Sequence, residues 1–304
     1  MKVIIDTDIG DDIDDAYALY LANKTEDLDI IGITTVYRNA RERTQIVKQL
    51  LNLLNKNTRV FSGESKPINT EYIVESFESL DSTGLPHIPQ LLKEYGEFNE
   101  EDISAVDFIL DSINKNPYEL TLLLIGPSTN AALAFKKDPI TFKKLKRVVM
   151  MGGSNNGFAE WNIRSDAEAF DIILHSGVPI KLIPFDITKQ IKFSKEEEKI
   201  LKKENDEALM FIYKMLEKMH KDRPDRITTL HDTLAVTELT NSFCEYRKRT
   251  VSVDFLNKKG ALIDDINGIT VDIAYIFKKE EFIQYLFKKL NIERWKWEEY
   301  YQKL

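Results

Sequence analysis

The sequence predicts an α/β protein in which helices flank a mainly parallel central sheet, and two observations support this fold class. First, short aliphatic runs recur along the chain, at residues 3–6, 30–36, 120–126, 147–153 and 180–186. Each run is continuously apolar instead of alternating, which is typical of strands buried on both faces of a parallel sheet. Second, segments with helical spacing of apolar residues separate the runs and supply covering helices.

The connecting segments can be assigned in chain order. An apolar helical run begins at residue 16, and a second helix is expected within residues 40–56. Charged residues crowd positions 193–226, which predicts one or two exposed helices ending near Pro224. The sequence has no linker rich in glycine, serine or proline, no repeat and no low-complexity tract, so we expect one domain over residues 1–304.

Composition excludes several classes of protein. The 304 residues are 43% hydrophobic and 30% charged, and no apolar stretch is long enough to span a membrane. A net charge of −8 argues against a nucleic-acid or anionic-membrane partner, because both need a positive field. Cys244 is the only cysteine, which excludes an intrachain disulfide framework and a cysteine-based zinc cluster and favours a cytoplasmic location.

Polar turns that contain glycine or aspartate follow four of the predicted strands. They read DTDIGDDIDD from residue 6, IGPSTN from residue 125, MGGSNN from residue 151 and PFDIT from residue 184. Ligands of parallel α/β sheets bind beyond the carboxyl ends of the strands, where such turns meet. The sequence therefore predicts an active site at this edge of the sheet.

Six aspartates stand in the stretch DTDIGDDIDDA at residues 6–16. One interpretation is a solvated acidic loop in which Asp14 or Asp15 caps the following helix. The other is a hard divalent cation held by carboxylate oxygens, because so many like charges on a buried edge repel one another without a cation. An EF-hand fits poorly, since glycine falls at position five of the loop and Tyr17 occupies position twelve. A phosphatase of the haloacid-dehalogenase type, which also opens on DxD, stays an alternative, although Gly10 stands where that family has threonine or valine.

A histidine beside an aspartate marks the later part of the chain. His231 and Asp232 lie in ITTLHDTLAVTEL, at the start of an apolar helical run. A lone histidine in such a place is more often structural than functional. Its neighbouring aspartate and the opening acidic cluster shift the interpretation toward a site.

These motifs together resemble the inosine-uridine nucleoside hydrolase family, the calcium-dependent enzymes that cleave N-ribosidic bonds. The resemblance covers nearly the whole chain in order, through IIDTDIGDDIDDA, IIGITTVYRN, LLLIGPSTNAALA, VVMMGGSNNGFAEWNIRSDAEA, LHDTLAV and VDIAYIFKKEEFIQYLFKKL. It implies a Rossmann-like nucleoside hydrolase fold, a ribonucleoside substrate, a Ca²⁺ cofactor and a homodimer or homotetramer.

The resemblance also implies roles for single residues. Asp8 would be the general base, bound to the metal and taking a proton from the attacking water. Asp15 would chelate calcium with both oxygens, together with Asp232 and the main-chain carbonyl of Ile125. His231 would protonate the leaving base, since imidazole titrates near neutral pH.

The resemblance leaves one ribose contact open between two aspartates. The aspartate loop is two residues longer than in the best-known members, so Asp14 and Asp12 compete for the ribose hydroxyls, with Asp14 favoured. The other ribose contacts of the family match Asn39, Glu160 and Asn162.

Several positions depart from the family pattern, around the base and the 5′ end of the sugar. Leu80 stands near the usual place of a histidine, Arg38 where glycine is common, and Arg223 and Arg226 where aromatic residues are common. The base preference therefore stays open. The arginines are most simply surface charge, but at the mouth of the pocket they would favour a 5′-phosphate.

A second hypothesis is a non-catalytic relative that binds a ribosyl ligand or a metal. Retention of both Asp8 and His231 favours the enzyme, because a binding protein needs neither a base nor an acid.

Overall fold

The computed structural model describes residues 1–70, 88, 90–99, 101–199, 202 and 205–292. The strands of this part of the chain are β1 (Lys2–Thr7), β2 (Asp29–Thr35), β3 (Val60–Ser62), β4 (Thr121–Ile125), β5 (Arg147–Met151), β6 (Ile180–Ile183), β7 (Lys192–Phe193), β8 (Thr228–Thr229), β9 (Cys244–Asp254), β10 (Ala261–Asp264) and β11 (Ile269–Phe277). Nine of these form one sheet in the order β10-β9-β11-β6-β5-β4-β1-β2-β3, while β7 pairs with β8 alone.

The sheet is parallel from β11 through β6, β5, β4, β1 and β2 to β3. This confirms the predicted α/β class, its mainly parallel sheet and all five predicted strands. The edge formed by β10, β9 and β11 is antiparallel. Sequence patterning did not predict β9, because its segment CEYRKRTVSVD is highly charged and partly exposed and has no continuous apolar run.

Helices cover both faces of the sheet. They are α1 (Asp14–Asn23), α2 (Ala40–Leu53), α3 (Ala105–Lys115), α4 (Thr129–Lys137), α5 (Pro139–Phe142), α6 (Trp161–Ser165), α7 (Ala167–Leu174), α8 (Phe185–Thr188), α9 (Lys195–Glu198), α10 (Glu207–Asp222), α11 (His231–Thr237) and α12 (Lys279–Lys289). Successive side chains of a strand point to opposite faces, so Val3 and Ile5 join the core on one side of the sheet and Ile4 joins the core on the other.

The charged segment predicted as exposed helices is half buried. Its main helix, α10, has a buried apolar face formed by Ala208, Leu209, Phe211, Ile212, Met215, Leu216 and Met219. The prediction of exposure was wrong because charged residues occupy only the outer positions of the 3.6-residue repeat. The predicted end was right, since α10 stops at Asp222, just before Pro224.

Both ends of the described chain contribute strands to the same sheet, through β1 and β11. The single domain over residues 1–304 is compatible with this arrangement and stays a prediction. Among the described residues, no helix is both long enough and apolar enough to cross a lipid bilayer.

Candidate active site

A cavity of about 540 Å³ opens at the carboxyl ends of the parallel strands. All but one of the site residues predicted from the sequence line it, namely Asp8, Asp12, Asp14, Asp15, Ile125, Glu160, Asn162, His231 and Asp232. The exception is Asn39, which is buried at the start of α2 with a positive φ of 31°. Leu80 lies outside the described residues.

Three carboxylates meet on the cavity wall. Asp14, Asp15 and Asp232 each offer one oxygen, and these oxygens lie within 4.8 Å of one another. Asp14 and Asp15 stand in the first turn of α1, whose N-cap is Ile13 without a side-chain capping bond. The interpretation that either aspartate only caps this helix is therefore wrong.

The protonation of this acidic cluster is strongly perturbed. Burial raises the pKa of Asp14 to about 7, and it raises the pKa of Asp15 and of Asp232 well above the usual range, with further repulsion from neighbouring carboxylates. The hydroxyl of Thr7 donates to Oδ1 of Asp15 at 2.5 Å. Closely spaced carboxylate oxygens whose charges repel one another are a donor set that suits a hard divalent cation. The residues present therefore fit a metal ion.

Asp8 is partly exposed to the cavity. Burial of its carboxylate raises its pKa to about 8, against a lowering by Arg43. A Cβ at Gly126 would lie 2.9 Å from the Asp8 nitrogen and 3.0 Å from Oδ1. Only glycine at this position lets the end of β4, with Ile125, approach Asp8 so closely.

The fully buried Arg43 holds the aspartate loop, and the sequence did not single it out. Its Nε donates to the carbonyl of Tyr37 at 2.8 Å, and Nη1 donates to the carbonyls of Ile9, at 2.8 Å, and Asp8. Its Nη2 lies 2.7 Å from Oδ2 of Asp11. One sequence signal could have found Arg43: it is a charged residue on the apolar face of the predicted helix, and the other residues of that face are expected to be buried.

Asp12 and Asp14 have different surroundings. Arg226 donates to Oδ2 of Asp12, and Nη1 of Arg223 lies 3.6 Å from Oδ1 of the same residue. Asp14 lies instead in the carboxylate cluster. Arg38, Arg223 and Arg226 all line the cavity, and the side chains of Arg223 and Arg226 are about half exposed at its mouth.

Glu160 and Asn162 are held rigidly at the start of α6. Oε1 of Glu160 accepts from the Asn162 amide at 2.9 Å, and Oε2 accepts from the amides of Gly153 at 3.1 Å and Ile163 at 3.3 Å. The side-chain amide of Asn162 donates to the Met151 carbonyl at 3.1 Å. Burial raises the pKa of Glu160 to about 7 in spite of these amides.

An aromatic stack carries His231. Its ring lies 5.6 Å from Phe185 at an interplanar angle of 22°, and Phe185 stacks on Phe158 at 5.1 Å. The Thr188 hydroxyl is 2.8 Å from Nδ1 of His231. Burial, with the charges of Arg226 and Lys192, lowers the pKa of His231 to about 4. The imidazole is therefore neutral at neutral pH, contrary to the expectation that it titrates there.

Two further cavity residues escaped the sequence reasoning. The guanidinium of Arg164 lies over the Trp161 ring at 4.9 Å, and both side chains line the cavity. Trp161 meets Tyr37 edge to face, with ring centroids 6.3 Å apart. No sequence signal distinguished them from other residues of the segment AEWNIRSD.

Comparison with known proteins is consistent with this geometry. The model of the family described as inosine-uridine preferring nucleoside hydrolase matches residues 3–286. The chain is 29% identical to a probable uridine nucleosidase 2 of Oryza sativa subsp. japonica over 271 residues, which cover 83% of this chain and 78% of the relative. It is 34% identical to the pyrimidine-specific ribonucleoside hydrolase RihB of Escherichia coli O157:H7 over 202 residues, covering 62% of this chain and 61% of the relative.

Solved structures show the same fold. A plant nucleoside hydrolase superposes with a TM-score of 0.79 at 25% identity, covering 95% of this chain and 98% of that chain. A purine-preferring ribonucleoside hydrolase from Gardnerella vaginalis superposes with a TM-score of 0.77 at 26% identity, with the same coverage of 95% and 98%.

Proposed function

The chain belongs to the inosine-uridine preferring nucleoside hydrolase family and is thus an enzyme that hydrolyses N-glycosyl compounds, and from this premise we propose that it cleaves ribonucleosides to ribose and free base. Of the similar proteins, one is named pyrimidine-specific and another purine-preferring. The likeness to both supports the ribosyl part of the substrate, which purine and pyrimidine ribonucleosides share.

The observation that carries this proposal is the meeting of the Asp14, Asp15 and Asp232 oxygens within 4.8 Å on the wall of a cavity that Asp8 and His231 also line. Cleavage of a ribosyl C–N bond builds positive charge on the sugar. A carboxylate-rich pocket stabilises that charge, and a base and an acid serve the water and the leaving group. A purely binding protein needs neither of the last two groups.

We propose Ca²⁺ as the cation, held by the carboxylates of Asp8, Asp15 and Asp232 and by the carbonyl of Ile125. Oxygen donors of this kind are the usual ligands of calcium. Bound calcium would offset the negative charge of the carboxylates. It would also orient the ribose hydroxyls and make the attacking water more acidic.

Asp8 is the proposed general base. Burial raises its pKa to about 8, and a cation bound beside it would favour the ionised carboxylate, the form that can accept a water proton. The water oxygen forms a bond to C1′ as its proton passes to Asp8. Because Asp8 is partly exposed to the cavity, substrate and water reach it from there.

The ribose is held by several side chains. Asp14 accepts hydrogen bonds from ribose hydroxyls, and Glu160 and Asn162 bind from α6. The pairing of Asp12 with Arg226 favours Asp14 over Asp12 for this role. A ribose contact of Asn39 has less support, because Asn39 does not line the cavity.

His231 is the proposed general acid for the leaving base. The Thr188 hydroxyl engages Nδ1, which leaves Nε2 for the substrate. The ring is neutral at rest, and negative charge that develops on the departing base favours its protonation. The ring takes this proton from solvent, and when the C–N bond breaks the base leaves with its electron pair and accepts the proton from Nε2.

The test is release of reducing sugar from a panel of ribonucleosides, with and without a chelator. Release that the chelator abolishes, and that Asp8→Asn abolishes as well, supports the proposal. Glu119→Gln is the matched control, since Glu119 is exposed and pairs only with Lys2 among the described residues. Binding of nucleosides without sugar release would favour the non-catalytic alternative. The homodimer or homotetramer and the cytoplasmic location stay predictions.

A further inference from the structure

Four arginines line the cavity beside its acidic cluster: Arg38, Arg164, Arg223 and Arg226. Two of them have carboxylate partners, since Arg223 and Arg226 lie at 3.6 Å or less from Asp12. The positive charge of these two arginines therefore offsets negative charge of the aspartate loop.

Arg164 differs from this pair. Within the described part of the chain, its side chain forms no ion pair with a carboxylate, and its buried Nε has no hydrogen-bond partner. A buried donor without a partner costs free energy comparable to a lost hydrogen bond. Arg164 therefore brings to the cavity a positive charge with which no described carboxylate forms an ion pair.

The surroundings of Arg164 form a preorganised wall. Its guanidinium lies over Trp161 at 4.9 Å, and Trp161 packs edge to face against Tyr37 at 6.3 Å. Arg38 lies over the Tyr37 ring at 5.1 Å. Two cations thus lie over two adjoining aromatic rings, and stacking of this kind leaves the in-plane N–H donors of Arg164 usable.

The residues of this wall are distinct from the carboxylate cluster and from His231 and Phe185, which line the same cavity. Arg164 belongs to the same short helix as Asn162 and follows Glu160 by four residues, so its amide bonds to the Glu160 carbonyl at 2.8 Å. Its charge acts on the pKa of Glu160 but is not among the main charges that act on Asp8 or the cluster.

A bound ribonucleoside presents three groups to the cavity: the 2′ and 3′ hydroxyls, the base at C1′, and the 5′ substituent. The proposed function assigns the first to the carboxylate cluster and the second to His231. The 5′ substituent is then assigned to the remaining wall of the cavity, with Arg164 and Glu160. Both Glu160 oxygens already accept backbone amide hydrogens, which reduces their repulsion of an anion there.

We propose that Arg164, supported by Trp161, binds the 5′-phosphate of ribonucleoside monophosphates, so that these are substrates alongside ribonucleosides. The inference rests on the proposed function of the same site. A guanidinium matches phosphate by paired N–H donors and keeps its charge at every working pH. Water adds to C1′, the base leaves with a proton, and the products are ribose 5-phosphate and free base.

The kinetic experiment compares kcat/KM for the best-cleaved ribonucleoside with kcat/KM for its own 5′-monophosphate. The ratio of monophosphate to nucleoside should fall about 10- to 100-fold in Arg164→Gln, the loss expected for one charge-assisted contact. Arg164→Lys should recover part of the ratio. Arg59→Gln is the matched control, because Arg59 lies outside the cavity in an exposed pair with Glu101, and it should leave the ratio within about twofold. Cleavage of the nucleoside with no measurable cleavage of its monophosphate would overturn the inference, as would an unchanged ratio in Arg164→Gln.

A binding experiment separates failure of this inference from failure of the proposed function. Ribose 5-phosphate and ribose are titrated against the parent protein and Arg164→Gln, with calcium present and melting temperature as the readout. Ribose 5-phosphate should bind the parent about 10-fold more tightly than ribose, and it should lose that advantage in Arg164→Gln. If no nucleoside is cleaved but this pattern appears, the hydrolase mechanism fails and the phosphate site stands. Equal binding of the two sugars by the parent would sink the phosphate site alone.

Discussion

Arg43 and Asp11 form an ion pair at 2.7 Å in which the arginine side chain is completely buried. The same guanidinium donates to the main-chain carbonyls of Ile9 and Tyr37. One side chain of α2 therefore fixes the loop that follows β1 and the loop that follows β2. The aspartate loop is thereby stabilised from inside the protein instead of by solvent.

Removal of this arginine should be costly. Arg43→Met leaves the Asp11 carboxylate and several carbonyls without their donor, and breaking a buried charge pair costs about 3 to 5 kcal/mol. We expect a loss of that size in the free energy of unfolding by urea, with Arg43→Lys intermediate. Arg59→Met is a suitable control, since its pair with Glu101 is exposed. A loss below about 1 kcal/mol in Arg43→Met would mean that water replaces the guanidinium.

Calcium should stabilise the folded protein. A cation that binds only the native state at 100 times its Kd adds about 2.7 kcal/mol to the free energy of unfolding. The melting temperature should therefore rise with calcium and fall back with chelator, and Asp15→Ala or Asp232→Ala should remove the rise. Glu119→Gln should keep it. An identical melting temperature of the parent with calcium and with chelator would count heavily against the cation site.

Stability in the presence of chelator should fall as pH rises through the neutral range. Burial raises the pKa of Asp14 to about 7 and of Asp8 to about 8, while an unfolded aspartate titrates near 4. The folded state then binds more protons than the unfolded state, so the free energy of unfolding drops between about pH 6.5 and about pH 8.5. His231 opposes this drop only at the lower end of the window, because its pKa is about 4 in the folded state and near 6.5 in the unfolded state. Urea unfolding at the two pH values checks the sign.

Two comparisons sharpen the pH prediction. Asp14→Asn cannot titrate, so the drop should be smaller in this variant. Saturating calcium should also reduce the drop, since the cation replaces the protons. A free energy of unfolding that rises across the window in chelator would contradict the raised pKa values.

His231→Ala should separate two kinds of substrate. A general acid contributes about 100- to 10,000-fold, but only when the leaving group needs its proton. Turnover of natural ribonucleosides should drop by that factor, while a nitrophenyl riboside, which departs unaided, is spared. Calcium affinity should barely change, because Asp232 carries the ligand role. Equal slowing of both substrates would reassign the histidine to positioning.

Asp12 and Asp14 should respond differently to the same substitution. Asp14→Asn should lower kcat/KM for the ribonucleoside about 10- to 100-fold, as expected for loss of a charged hydrogen-bond partner. Asp12→Asn should change it by about threefold or less, since its partners are half-exposed arginines. The reverse order would identify Asp12 as the ribose ligand.

The sequence predicted the fold and most of the cavity because the relevant signals are local. Strand-forming runs and the acidic loop after β1 are each contiguous, and parallel topology brings the strand ends together. Residues that act through distant partners gave no such signal: Arg43 meets Asp11 across 32 positions and His231 meets Thr188 across 43. The neutral state of the His231 ring was missed for the same reason, since burial and the charges around it exist only in the folded chain.

The carboxylate cluster joins α1, near the start of the chain, to Asp232 in α11. A nascent polypeptide that has emerged only as far as β6 carries the acidic loop but lacks its last ligand. The proposed cation would therefore bind late in biosynthesis, and its capture would mark chains whose C-terminal third has docked. Truncated products would keep carboxylates whose charge no cation offsets. This repulsion would favour their local unfolding and their removal by proteases.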